Sequence, residues 1–203
     1  MTIEEIDLYR LRAEDLENYL PTNKSPPGGF KSRSEYAAAL VSGKAKASEC
    51  KKIDEQMAFA IDAVLSIDIH LPESDPMQRK VPEVLFEYNS PDESSPVLIT
   101  SNSIITHQIL KLVLDKAKVK AFVVPVDTNG YTLDNSVVTG NLTPMGVLKA
   151  LTDSGIVTKT TGKKAILPGL AKDLKNNIER VTRWNYEIGP VSAFELPLYL
   201  LTR

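Results

Sequence analysis

The residue types best suited to hold a ligand gather in Asp127–Gly140, DTNGYTLDNSVVTG. A short apolar run, Ala121–Val126, leads into Asp, Asn and Gly, which marks a strand passing into a turn. Three more apolar runs end in small or polar residues: Ser101–Asn102–Ser103, Pro168–Gly169 and Gly189–Pro190. If the strands are parallel, these four loops open on one rim, where open α/β sheets hold ligands. Glycine there lets backbone approach a flat ligand closely. For any single loop, an ordinary strand-to-helix turn is the leading reading; four such loops on one rim weaken it, and the spacing names no ligand.

No catalytic set accompanies the loops. The chain has no Walker sequence and no G-x-G-x-x-G, so neither usual phosphate cradle is present, and it has no G-x-S-x-G elbow. His70 and His107 have no metal-ligand neighbours at helical spacing. His107 is expected early in a helix beside the first loop, as a rim or helix-face residue, and His70 in a solvated linker.

The positioning elements follow from periodicity. Thr2–Leu20 has apolar residues at three- and four-residue steps, with Thr2 and Glu5 in capping-box register and Pro21 as the stop. Short helices are expected over Ser34–Val41 and Ile53–Leu65. His70–Pro96 is rich in proline and reads as a linker with one edge strand, Val84–Tyr88. Beyond Pro96 the order alternates. Strands are expected at Val97–Thr100, Val119–Val126, Ala165–Leu167 and Tyr186–Ile188. Helices are expected at Ile104–Lys116, Pro144–Leu151 and Leu170–Val181, with a last helix from Ser192 broken at Pro197. This order predicts an α/β fold with a mostly parallel sheet covered on both faces.

Composition narrows the function classes. A net charge of −2 gives no basic footprint for nucleic acid or an acidic membrane surface. The one cysteine, Cys50, excludes an internal disulfide framework. No apolar run has membrane length and no signal-peptide pattern opens the chain, so a soluble cytoplasmic protein is expected.

VLITSNSIITHQIL, VVPVDTNGYTLDNSVVTGNL, AILPGLA and YEIGPVSAFELPLYL, in that order, resemble the C-terminal corrinoid-binding domain of the corrinoid iron–sulfur protein. That family is the large, or gamma, subunit of the acetyl-CoA decarbonylase/synthase system. The diagnostic pieces are the D-x-x-G-x-S/T loop closed by a later glycine, the I-L-P-G-x-A strand end and the G-P-x-x-A tail. The mercury-methylating corrinoid protein is similar over the same loop. The resemblance implies a Rossmann-like sheet that holds a cobalamin-type corrinoid. Its site would be formed by Ser101, Asn102, Ser103, Asp127, Gly130, Thr132, Asn135, Gly140, Pro168, Gly169, Gly189, Pro190 and Ala193. The segment matching Thr132–Gly140 would cap the lower face of the ring. Asn135, five residues after Gly130, falls where the family faces cobalt. It departs from the family's threonine or cysteine and offers a neutral amide.

The N-terminus, DLENYLP…GGFKS…YAAALVSGKAKASEC, resembles the same protein's iron–sulfur module. Placing the family's last cysteine on Cys50 puts its other ligand positions on Ser25, Gly28 and Arg33, so no iron–sulfur cluster is expected. The family's intervening TIM-barrel domain is replaced by the proline-rich linker. The resemblance thus implies a small α-helical iron–sulfur-like module (1–65), a linker (66–95) and a corrinoid-binding-like α/β domain (96–203). The chain would be a cofactor-carrying partner in methyl transfer rather than a self-sufficient enzyme. Its partner would be a TIM-barrel corrinoid-protein subunit or methyltransferase, with no nucleic acid or membrane involved. The alternative is a degenerate paralogue that holds no cofactor and acts as a structural or regulatory partner.

Overall fold

The computed structural model describes residues 10–22, 29–69, 71–72 and 75–203. His70, Ser25, Gly28 and the Thr2–Glu5 capping box lie outside them. From the N-terminus the described elements are α1 (Ala13–Glu17), α2 (Arg33–Val41), α3 (Glu55–Leu65), β1 (Phe86–Tyr88), β2 (Val97–Ser101) and α4 (Ile104–Ala117). They continue with β3 (Ala121–Val126), α5 (Leu133–Val138), α6 (Pro144–Asp153), β4 (Lys164–Leu167), α7 (Lys175–Thr182), β5 (Asn185–Ile188) and α8 (Leu196–Leu201). Among the described residues no helix is long and apolar enough to cross a membrane.

The chain divides into two compact units, His70–Val191, and Met1–Ile69 together with Ser192–Arg203. The last residues therefore group with the N-terminal helices, not with the sheet that precedes them in sequence.

The larger unit is a five-stranded sheet in the order β1-β3-β2-β4-β5. The strands β2, β3, β4 and β5 are parallel, and β1 joins the edge antiparallel to β3. This is a Rossmann-like α/β fold. Every residue of β2 and β3 is buried, as expected of parallel strands covered on both faces. Alternate residues Val97, Ile99, Phe122, Val124, Ala165 and Leu167 share one core with Val147, Leu151 and Ile178 of α6 and α7. The pleat sends Leu98 and Val123 to the other face. Proline inside β3 is tolerated because β1 pairs only with Ala121–Val123, which leaves Pro125 beyond the antiparallel ladder. Helix α6 starts where Thr143 accepts a bond from the Gly146 amide (3.0 Å), with Pro144 in its first turn.

Three expectations about elements change. The segment after Gly130 is not wholly loop, because Leu133–Val138 forms α5. The helix expected from Leu170 begins as a 3-10 turn, Gly169–Leu174, before α7. Pro197 does not break the last helix but sits in its first turn, where its missing N–H costs nothing.

In the smaller unit α1 packs on α2 and α3 on α8. Ser32 caps α2 and Asp54 caps α3 through their side-chain oxygens. The Asp62 carboxylate accepts from the Ala47 and Ser48 amides at 2.7 and 3.0 Å. The Tyr19 hydroxyl donates to Glu195 at 2.7 Å. Burial and this bond to the carboxylate both push the Tyr19 phenol up, so it stays a donor at neutral pH.

Candidate functional site

Because β3 and β4 lie on opposite sides of β2, the connections diverge at the carboxyl ends of β2 and β4. A crevice at such a switch point is where open α/β sheets hold ligands. The loops after β2 and β3 are joined there by one side chain. Asn102 Oδ1 accepts from the Thr128 amide (3.1 Å), the Thr128 hydroxyl (3.2 Å) and the Gly130 amide (3.1 Å). Its Nδ2 donates to Asp127 Oδ1 at 3.0 Å. Asn102 is buried, so these donors have no solvent alternative.

The turn Asp127–Gly130 is also held from outside the sheet. Lys80 Nζ lies 2.9 Å from Asp127 Oδ1 and 3.3 Å from Asn129 Oδ1. The Lys80 hydrogen bond holds the Asp127 carboxyl below its ordinary range, against the opposing effect of partial burial. The Val81 amide donates to the Asn102 carbonyl at 2.9 Å. Gly130 has φ +77°, and a side chain there would place its Cβ 1.9 Å from the Gln78 carbonyl oxygen. Only glycine satisfies both conditions.

Helix α5 packs against β2 and against the 3-10 turn that follows β4, so it lies over the crevice. Thr132 precedes it. The Thr132 hydroxyl makes no capping bond but accepts from Asn135 Nδ2 at 2.9 Å. Ser136 is buried, with its hydroxyl on the Leu133 carbonyl. At the end of α5 Val138 is 86% exposed, and Met145 at the start of α6 is 63% exposed. A Cβ on Gly140 would meet nothing within 4 Å.

The loops after β4 and β5 interlock through backbone. The Gly169 amide donates to the Pro190 carbonyl (2.9 Å), and the Gly189 amide to the Leu167 carbonyl (2.8 Å). A Cβ on Gly169 would lie 2.9 Å from Val191 Cγ2 and 3.0 Å from the Gly189 oxygen.

His107 is not on the rim surface. It is 4% exposed, its ring centroid lies 4.5 Å from that of Phe86, and its Nε2 lies 3.0 Å from the Ser101 carbonyl oxygen. A carbonyl only accepts, so Nε2 carries the proton. Burial lowers the His107 pKa to about 4, and the ring is neutral at pH 7. Its Nδ1 and the Ser103 hydroxyl are the two buried side-chain polar atoms without a partner among the described residues. Ser101 is buried and donates its hydroxyl to Thr106. Among the described residues no cluster of His, Cys, Asp and Glu could hold a metal ion.

The structure thus brings together Ser101, Asn102, Ser103, Asp127, Gly130 and Thr132 on one half of the rim, with Asn135 and Gly140 on α5 and just beyond it. Pro168, Gly169, Gly189 and Pro190 form the other half. Ala193 belongs to the smaller unit. Sequence reasoning missed Gln78 and Lys80, which fall in the stretch read as linker. Proline density hid them, and their contacts reach about fifty residues along the chain, where local spacing carries no signal. It also missed α5, although Leu133, Ser136 and Val137 have helical spacing after the Thr132 position.

A mostly parallel sheet wound to both sides of a switch point, with a loop cluster at its carboxyl edge, is a Rossmann-like α/β architecture. The chain belongs to the family described as CO dehydrogenase/acetyl-CoA synthase delta subunit, which matches residues 61–200. It is 31% identical to the acetyl-CoA decarbonylase/synthase complex subunit gamma of Methanopyrus kandleri over 63% of this chain and 28% of that protein. The gamma subunit of Methanothermobacter thermautotrophicus is 32% identical over 57% of this chain and 25% of the relative. The corrinoid/iron-sulfur protein large subunit of Moorella thermoacetica is 25% identical over 56% and 26%. The matches thus cover only about a quarter of these relatives' length.

Proposed function

We propose that the strand-end rim of the larger unit holds a corrinoid, and that the chain works in methyl transfer or cobamide handling within acetyl-CoA metabolism. The observation that carries this reading is α5 lying over the switch-point crevice with an apolar, solvent-facing end. Val138 and Met145 suit the face of a flat, largely apolar ring, and the open space beside Gly140 admits it closely. Asn135 offers a neutral amide whose Oδ1 acceptor suits the ring's side amides. The name of the Moorella relative, a corrinoid/iron-sulfur protein, supports the same ligand class.

The donor set fits a weakly held metal. Asn135 is the polar residue in the cobalt-facing register, and an amide is a poor ligand compared with a thiolate or imidazole. The His107 Nε2 is engaged with the Ser101 carbonyl. Bound here, the corrinoid would supply the cobalt that carries the methyl group. The chain's own residues would bind and orient the ring: Thr132 and Asn135 under it, Gly140 beside it, and the loops after β2 and β4 at its edge. The open side of the ring would be met by a TIM-barrel subunit or methyltransferase in the cytoplasm. The multi-subunit complexes named for the gamma relatives support a protein partner. We further read the helical unit as carrying no iron–sulfur cluster of its own. Cys50 is the chain's one thiol, and it is buried.

A second reading has one observation in its favour. Asn135 Nδ2 is already spent on the Thr132 hydroxyl, which suits a subunit that holds no corrinoid and serves as a structural partner. Gel filtration of the protein after incubation with hydroxocobalamin decides between them. A co-eluting corrin spectrum is expected, and its absence sinks the corrinoid reading.

A further inference from the structure

The turn Asp75–Val81 is held by bonds within itself as well as by bonds to the rim. Asp75 is buried and staples it from within. Its carboxylate accepts from the Met77 amide (3.0 Å), the Arg79 amide (3.2 Å) and Arg79 Nε (2.7 Å), and its carbonyl accepts from the Gln78 amide (2.9 Å). The turn then docks by backbone. The Ile104 amide donates to the Arg79 carbonyl (3.1 Å), the Val81 amide to the Asn102 carbonyl (2.9 Å), and Lys80 forms an antiparallel bridge with Ser103. The Gln78 carbonyl fills the space a side chain on Gly130 would need.

Three donors converge on one oxygen, Asp127 Oδ1: Lys80 Nζ (2.9 Å), Asn102 Nδ2 (3.0 Å) and the Asn129 amide (3.1 Å). Asn102 and the Asn129 amide tie the turn from within the loops after β2 and β3, without Lys80. Lys80 adds a pull from outside the sheet, at a site where both charged side chains are largely exposed. Its removal should therefore alter where the turn sits without unfolding it.

We propose that Asp75–Val81 is a wall of the ligand site, and that Lys80 is its positioning residue, setting the turn Asp127–Gly130 from which Thr132 and α5 depart. This rests on the corrinoid reading for the ligand, but not for the effect on the turn. A wall and a plug predict opposite signs. Loosening a wall disorders the turn and weakens binding, whereas loosening a plug frees the site and tightens it.

The test uses the full chain with Lys80→Met, Lys80→Arg and, as a control on the exposed Lys111–Asp115 pair of α4, Lys111→Met. Hydrogen exchange is measured first, without corrinoid. The amides of Asn129 and Gly130 should exchange about two- to fivefold faster in Lys80→Met, the range of an exposed ion pair, and return towards wild type in Lys80→Arg. Hydroxocobalamin is then titrated by visible absorbance. Its affinity should fall by a similar factor in Lys80→Met alone, and 1 M salt should narrow the gap to wild type. Unchanged exchange in Lys80→Met, or tighter binding by it, overturns the proposal. Failure of the wild type to bind overturns the corrinoid reading instead, and the exchange arm then decides by itself whether Lys80 positions the turn.

Discussion

The two halves of the strand-end rim are built by different means. On the β2–β3 half, side chains hold backbone: Asn102 gathers four bonds and Lys80 reaches Asp127 from outside the sheet. On the β4–β5 half, backbone holds backbone, as Gly169 bonds Pro190 and Gly189 bonds Leu167. A half tied by side chains is tuned by single substitutions, by salt and by protonation. A half tied by main chain answers mainly to volume.

The largest effect should come from Gly130→Ala. The new Cβ would fall 1.9 Å from the Gln78 oxygen at a positive φ, and the left-handed and overpacking costs add to about 4 kcal/mol. Urea unfolding measures it. Acid should come next. The folded His107 pKa of about 4 lies below the ordinary value of about 6.5, so the unfolded chain binds its proton first as pH falls. The stability that neutral His107 contributes is complete above pH ~6.5 and is lost as pH falls towards 4, about 3 kcal/mol in all. The slope between pH 7 and pH 4 should flatten in His107→Gln, as followed by unfolding at each pH. Asn102→Ala should cost about 2–3 kcal/mol, because it leaves the buried Thr128 and Gly130 donors unpaired. Its exchange signature should be confined to the β2–β3 half.

Gly169→Ala is the counterpart on the other half. Its Cβ contacts of 2.9–3.0 Å come without a positive φ, so a loss of only about 1 kcal/mol is expected. A loss equal to that of Gly130→Ala would break the contrast between the halves. The smallest effect should be that of Asn135→Ala on stability, below about 1 kcal/mol for one half-exposed bond. With hydroxocobalamin bound, the same variant should shift the cobalt bands, and a spectrum identical to wild type would remove Asn135 from the site.

Much of this fold was legible locally. The apolar runs at Val97 and Ala121 announced buried strands because both faces of a parallel sheet are covered. Their Asn, Asp and Gly endings announced turns because those residues adopt or bond the turn backbone cheaply. The boundaries that moved have equally local causes. Pro197 reads as a break in sequence, yet proline is harmless in a first turn. The six residues of α5 offer only the steps from Leu133 to Ser136 and Val137, too few helical repeats to stand out in a polar, β-branched stretch.

By itself, the sequence determined the alternating order, the parallel sheet, the polar loop endings and the family to which the chain belongs. Each of these rests on neighbours within a few residues or on motifs kept in order along the chain. Only the tertiary structure decided that Asn102 would gather the Thr128 and Gly130 amides, that His107 would turn inward onto the Ser101 carbonyl, and that a proline-flanked turn would lay Gln78 and Lys80 against Asp127–Gly130. The physical reason is that the wider of these contacts, across the loops of β2 and β3 and the turn before them, join segments some twenty-five to fifty residues apart. They exist only once sheet order and crossover direction have carried those segments to one edge.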